Sequence, residues 1–203
     1  MLHSYIPAID DELERIAILC RSVIGRDLLG GLGSVLQKVP DDYKPLAAVL
    51  VGSVILVAIV LFHGTGLHGI IVGQDRWRAR LSARHPHLTG AALVFGWGVF
   101  LMLFLQILEI LIWALALNRL GLIKNAHDTI YFCANAYTTL GMGKMELDRP
   151  WRLISPIIGI SGLFTFAWTT SVLVDMVTAH RQFVEQLRAQ RTAHKKAAKT
   201  TAQ

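Results

Sequence analysis

The chain has 203 residues, 53% of them hydrophobic and 17% charged, with a formal net charge of +6. The apolar residues are gathered into long runs, which excludes an ordinary soluble domain and places the chain among integral membrane proteins. The positive charge sits at the borders of those runs, where it serves orientation and anionic lipid headgroups, so no nucleic-acid partner is expected.

In chain order, residues 1–44 form an amphipathic N-terminal segment. Ile6, Ile9, Leu13, Ile16, Cys20, Val23 and Ile24 follow a spacing of three and four that describes one apolar helix face. Asp11, Glu14, Arg15 and Arg21 exclude a spanning helix, so the segment is expected to lie at the membrane interface or on a partner. Gly25, Gly30, Gly31 and Gly33 then loosen the pattern. Asp10, Asp11, Glu12 and Glu14 stand where a cleavable signal peptide carries its basic and apolar regions, so none is expected. The first spanning helix is expected over 45–72, because roughly 20 apolar residues cross the hydrocarbon. His63 and His68 near its end do not share a helix face well, and they read as interfacial histidines rather than zinc ligands. Gly64, Gly66 and Gly69 leave a hairpin open as an alternative, which would move the N-terminus from the outer to the inner side. Residues 73–89, with Arg76, Trp77, Arg78, Arg80 and Arg84, are expected to form a basic cytoplasmic loop.

The second span, Gly90 to about Leu117, contains Gln106 and Glu109. An ionisable group inside a span is costly and calls for a partner. Glu109 is expected to hydrogen-bond behind the next element through Asn135, Tyr131 or Tyr137, with a proton-relay or gating role as the alternative. That next element starts at Asp128 and Thr129, which are expected to cap a helix too short to cross. It runs into Thr138-Thr139-Leu140-Gly141-Met142-Gly143. Alternate glycines allow successive carbonyls to point the same way, and non-helical backbone at membrane depth is tolerated only where protein buries it or water bathes it. A re-entrant, ion-selective pore loop is the economical reading.

The third span is expected over Leu153 to Val177, with Pro156 in its first turn. Phe166, Thr170 and Val174 recur every four residues and are expected to face a lumen. Residues 178–203 form a basic cytoplasmic helix and tail, disordered from Ala193 onward. Neither Cys20 nor Cys133 implies a disulfide or a metal site. No Ser/His/Asp set or carboxylate pair stands at useful spacing, so no enzyme is expected.

From about Gly90 to His180 the chain resembles the two-transmembrane pore domain of the potassium-channel superfamily, to which an N-terminal span has been added. Tyr131-Phe132 stand at the family's aromatic pair on the pore helix, and Thr139-Leu140-Gly141-Met142-Gly143 stand at its filter. Arg152-Leu153 open the inner helix, and Gly162 falls at the hinge glycine. The resemblance implies an all-α membrane protein: three transmembrane helices plus a re-entrant pore helix and filter loop, assembled as a homotetrameric pore. Ion sites would come from the carbonyls of Thr139, Leu140, Gly141 and Met142 and the Thr139 hydroxyl, with Tyr131, Phe132, Asn135 and Glu109 as filter support. Phe166 and Thr170 would face the cavity, beside Gly162 and Val174 at the gate. No cofactor is implied beyond permeating potassium or another monovalent cation. The implied location is the cell membrane, as a multi-pass protein of a bacterial inner membrane with its C-terminus in the cytoplasm.

Two positions depart from the family. Met142 stands where an aromatic ring usually braces the filter, and methionine is flexible. Lys144 stands where an aspartate is usual, and lysines ringing the outer mouth repel arriving cations, an effect softened by salt. The expected function is a passive potassium or less selective monovalent-cation channel. The alternative is a pore-derived membrane protein that serves as a non-conducting structural or interaction subunit.

Overall fold

Five α-helices and a 3-10 turn form the regular structure of the described residues, which are 26–84, 88–142 and 146–201 of a computed structural model. The helices are α1 (Arg26–Gln37), α2 (Lys44–Arg84), α3 (Leu88–Arg119), α4 (Ala126–Tyr137) and α5 (Ile154–Thr201), with the 3-10 turn at Arg149–Trp151 before α5. No strand occurs among the described residues. Three stretches, Lys44–Arg80, Gly90–Arg119 and Arg149–Gln186, are long and apolar enough to cross a membrane. The 12 residues of α4 rise only about 18 Å, short of a bilayer's hydrocarbon thickness.

Several boundaries differ from expectation, each for a local reason. Helix α2 does not stop at residue 72, and no hairpin forms at its glycines; it continues through the expected loop to Arg84. Gly66 admits the Leu105 side chain against the helix backbone, and no proline or glycine follows Gly73 before Pro86. The cap of α4 is Asn125, three residues ahead of Asp128; its side chain accepts from the His127 amide at 3.0 Å. Asp128 lies in the first turn, and the Thr129 hydroxyl donates back to the Asn125 carbonyl at 2.7 Å. The tail expected to be disordered is helical to Thr201. Its alanines and lysines are strong helix formers, and polarity alone does not prevent a helix. Glycines 30, 31 and 33 lie inside α1 and do not end it. The apolar face of residues 6–24, with Cys20, lies outside the described residues, as do residues 85–87, Gly143 and Lys144.

The chain divides into two compact units. The first comprises Met1–Gly66 and Leu105–Phe166. Its core follows helical spacing: Ile55, Ile59 and Phe62 on α2, Leu105, Ile112, Trp113 and Ala116 on α3, Phe132 and Cys133 on α4, and Ile154 and Ile158 on α5 are all buried. Trp113 Nε1 donates to Ser161 Oγ at 3.2 Å, tying α3 to α5. Leu50, Val54, Val57 and Leu61 on α2 point outward and exposed, a face suited to lipid but not to water. Helix α3 closes in a Schellman turn: the Leu122 amide donates to Leu117 O, the Gly121 amide donates to Asn118 O, and Gly121 takes the left-handed conformation at φ 71°.

The second unit comprises Leu67–Phe104 and Ala167–Gln203. Polar contacts bind its three helices. Gln74 of α2 donates to Val94 O of α3 at 3.0 Å. Arg78 donates to Gln74 Oε1 at 3.2 Å and to Met176 O of α5 at 3.5 Å. Phe95 stacks on His180, ring centroids 4.8 Å apart. Residues 73–84, expected to lie in a cytoplasmic loop, are thus part of a helix that cross-links its neighbours.

Candidate functional site

The end of α4 sets the geometry of the segment expected to conduct. Thr138 is the C-cap; the Thr139 amide donates to Ala136 O at 3.2 Å and the Leu140 amide to Asn135 O at 3.1 Å, which completes a second Schellman turn. In this turn the left-handed position is filled by Thr139, at φ 56°, and not by glycine. A β-branched residue there is a true outlier, costing on the order of 1–3 kcal/mol unless its surroundings hold it. Gly141 is left-handed again at φ 64°. From Leu140 to Met142 the backbone is non-helical, and both side chains are largely exposed, 64% and 76%.

This strain is measurable. Thr139→Gly is expected to be more stable than Thr139→Ala by about 1 kcal/mol, since alanine keeps a Cβ at positive φ and glycine does not. Thermal unfolding in detergent checks the difference, and equal melting temperatures would refute the left-handed assignment.

Behind the loop lies a buried polar cluster with one residue from each of four helices. Tyr137, the last residue of α4, donates from Oη to Glu109 Oε2 of α3 at 2.6 Å. The other carboxyl oxygen, Oε1, lies 2.5 Å from Nδ1 of His63 on α2. Thr165 of α5 places its Oγ1 2.6 Å from Tyr137 Oη. Tyr137 has one hydroxyl proton and gives it to Glu109, so the Thr165 hydroxyl donates in its turn to the Tyr137 oxygen. The carbonyls of Ser161 and Gly162, 3.0 and 3.2 Å from Thr165 Oγ1, are its other acceptors in reach. His63, Glu109 and Thr165 are fully buried and Tyr137 is 1% exposed, so every polar atom of the group depends on protein partners.

Among the three partners expected for Glu109, the structure selects Tyr137. Tyr131 is half exposed, and Asn135 Nδ2 donates to Tyr131 O within its own helix at 2.8 Å. His63 corrects the sequence reading: it is not an interfacial residue at the end of a span but a core residue bound to Glu109. Its spacing carried the signal, since His63 lies four residues after Ile59 and on the same buried face of α2.

Helix α5 meets the loop through Gly159 and Gly162. A Cβ on Gly162 would fall well inside contact distance of the Tyr137 carbonyl oxygen, and one on Gly159 would stand 3.3 Å from Ala136 O. Helical structure is unbroken at Gly162, so what this glycine provides here is room for the α4 terminus. Phe166 is half exposed, with its ring centroid 6.1 Å from that of Tyr137; Thr170 and Val174 are exposed. Phe132 is buried. On the other side of α4, Tyr131, Asn135, Gly141, Glu146 and Arg152 help to line an open cleft of about 400 Å³, where Arg152 Nη2 pairs with Glu146 Oε2 at 2.6 Å. Among the described residues no group of His, Cys, Asp or Glu is arranged to hold a metal ion.

A family model described as "ion channel" matches residues 100–179. No curated protein and no solved structure matches the chain. The matched stretch takes in Glu109, α4, the loop through Met142 and the glycines of α5, while His63 precedes it. Three helices among the described residues are long and apolar enough to cross a membrane, and residues 100–179 match the ion-channel family model, which together mark the chain as a membrane protein with a segment similar to ion channels.

Proposed function

We propose that the protein is a homotetrameric cation channel, for potassium or less selectively for monovalent cations, in which Thr139, Leu140, Gly141, Met142 and Gly143 form the selectivity filter. The observation that carries this reading is the loop itself: a helix too short to cross the membrane ends at Tyr137 and delivers a non-helical, largely exposed strand of backbone. Such backbone at membrane depth must be covered by protein or line water, and further copies around a shared axis supply both. Rings of carbonyls replace an ion's hydration shell without burying a fixed charge. Left-handed φ at Thr139 and Gly141 favours turning alternate carbonyls to one side. Phe166, Thr170 and Val174, exposed at four-residue intervals on α5, suit a water-filled cavity below. The arginines of residues 76–84 and the basic tail suit the cytoplasmic face and anionic headgroups, with the C-terminus inside a bacterial inner membrane.

Protein reconstituted in liposomes of mixed zwitterionic and anionic lipid is expected to pass potassium down its gradient and to run as a tetramer by light scattering. Monomeric protein with no cation flux at any pH or lipid composition would sink the proposal. Met142 and Lys144 favour a second reading, a pore-derived subunit that does not conduct. If the wild type is silent and Lys144→Asp switches on current, the second reading stands.

A further inference from the structure

We propose that His63, on the helix that precedes the ion-channel segment, is a positioning residue for the conducting loop, acting through Glu109 and Tyr137. The proposal rests on the reading of residues 139–143 as that loop. Three observations carry it.

First, the connection is continuous and short. Nδ1 of His63 lies 2.5 Å from Glu109 Oε1, and Glu109 Oε2 accepts from Tyr137 at 2.6 Å. Tyr137 directly precedes the turn at Thr138 and Thr139.

Second, the connection has a direction. One proton lies between Nδ1 and Oε1, whichever atom holds it, and this leaves Oε2 as the acceptor for Tyr137. Tyr137 in turn accepts from Thr165. Hydroxyl donation therefore runs from Thr165 through Tyr137 to Glu109 Oε2, while His63 holds the other carboxyl oxygen. Without His63, Oε1 has lost this partner, and the carboxyl group can rotate or turn its own proton toward Tyr137. Either change reverses or breaks the bond that fixes the Tyr137 ring.

Third, Tyr137 is held at both ends. Its hydroxyl is fixed by Glu109 and Thr165, and its carbonyl rests against Gly162. A residue clamped this way transmits ring position to the next backbone unit. That unit carries Thr139 in the left-handed conformation, which persists only where the surroundings over-determine it. The helix added ahead of the channel segment thereby contributes directly to loop geometry.

The test uses the full-length protein and two readouts. The first, independent of conduction, is amide hydrogen exchange at Thr138, Thr139 and Leu140, whose N–H groups donate to Ala134, Ala136 and Asn135. The second is the potassium-to-sodium permeability ratio in liposomes. His63→Leu keeps an apolar volume and removes the ring nitrogen; it is expected to speed exchange at these three amides by about tenfold and to lower the ratio. His63→Asn places an amide N–H near the position of Nδ1 and is expected to restore exchange to within about threefold of wild type, together with the ratio. Ile59→Ala, one turn earlier on the same buried face, is expected to lower thermal stability while leaving the three amides unchanged. A purely structural His63 would behave as Ile59 does. Wild-type exchange in His63→Leu, or failure of His63→Asn to restore it, overturns the proposal. If His63→Leu does not fold, Tyr137→Phe, which cuts the same connection at its far end, must reproduce the fast exchange while His63→Asn stays near wild type; slow exchange in Tyr137→Phe overturns the proposal. If the wild type passes no cation, the channel reading fails and the exchange result alone decides the role of His63.

Discussion

Gly162→Ala is expected to cost about 3 kcal/mol and to abolish cation flux. A Cβ at this position meets the carbonyl oxygen of Tyr137, with the carbonyl carbon 2.9 Å away and the ring's Cγ at 3.1 Å. Two of these are backbone atoms at the end of a helix, so no rotamer change relieves the clash. Either α5 or the C-terminus of α4 must move, and overpacking in a well-filled core costs about 1–3 kcal/mol, toward the upper end when backbone shifts. The loop that follows Tyr137 moves with it, so flux is lost even in protein that still folds. Gly159→Ala is the internal control: its Cβ stands 3.3 Å from Ala136 O, a contact that a shift of a few tenths of an ångström accommodates. Gly96→Ala meets nothing within 4 Å and is expected to be neutral or to stabilise by up to about 1 kcal/mol. Thermal unfolding and liposome flux on the three variants give the ranking. A Gly162→Ala protein with wild-type melting and flux would show that α4 and α5 do not approach in this way.

Glu109→Leu is expected to be the most destabilising change in the buried cluster, by about 3–5 kcal/mol, because it takes from His63 and Tyr137 the partner they share inside a buried core. Glu109→Gln keeps the count of partners. Its carbonyl accepts from Tyr137 and its amide donates to Nδ1 of the other histidine tautomer, at a cost of about 1 kcal/mol. The double variant His63→Leu/Glu109→Leu is expected to recover at least half of the single variant's loss. Removing both members of a buried polar pair takes away its desolvation cost along with its attraction, and Tyr137 still has Thr165. The predicted order of melting temperature is wild type, Glu109→Gln, the double variant, then Glu109→Leu. If Glu109→Leu melts with the wild type, the cluster is not the buried network described.

These two sites mark how far the sequence can be read. The three spans, the short fourth helix and the loop after it are legible because each depends on local composition: long apolar runs must become helices in lipid, and glycine spacing marks where helix gives way. The need of Glu109 for a partner is also legible, since an ionisable group inside a span cannot go unpaired. The identity of that partner set is not. His63 and Glu109 are 46 positions apart, and no spacing rule relates residues on different helices.

The sequence by itself determined the helical character of the described residues, the three apolar stretches of membrane-crossing length and the non-helical turn after the short helix, because hydrophobicity, helix propensity and glycine placement act within a few residues of one another. Only tertiary structure decided what stands behind that loop. Helices α2, α3, α4 and α5 each bring one polar side chain to a single point, and Gly162 is matched to the Tyr137 carbonyl. Both outcomes come from the packing of separate helices, where a polar group taken out of water must find its partner across space rather than along the chain.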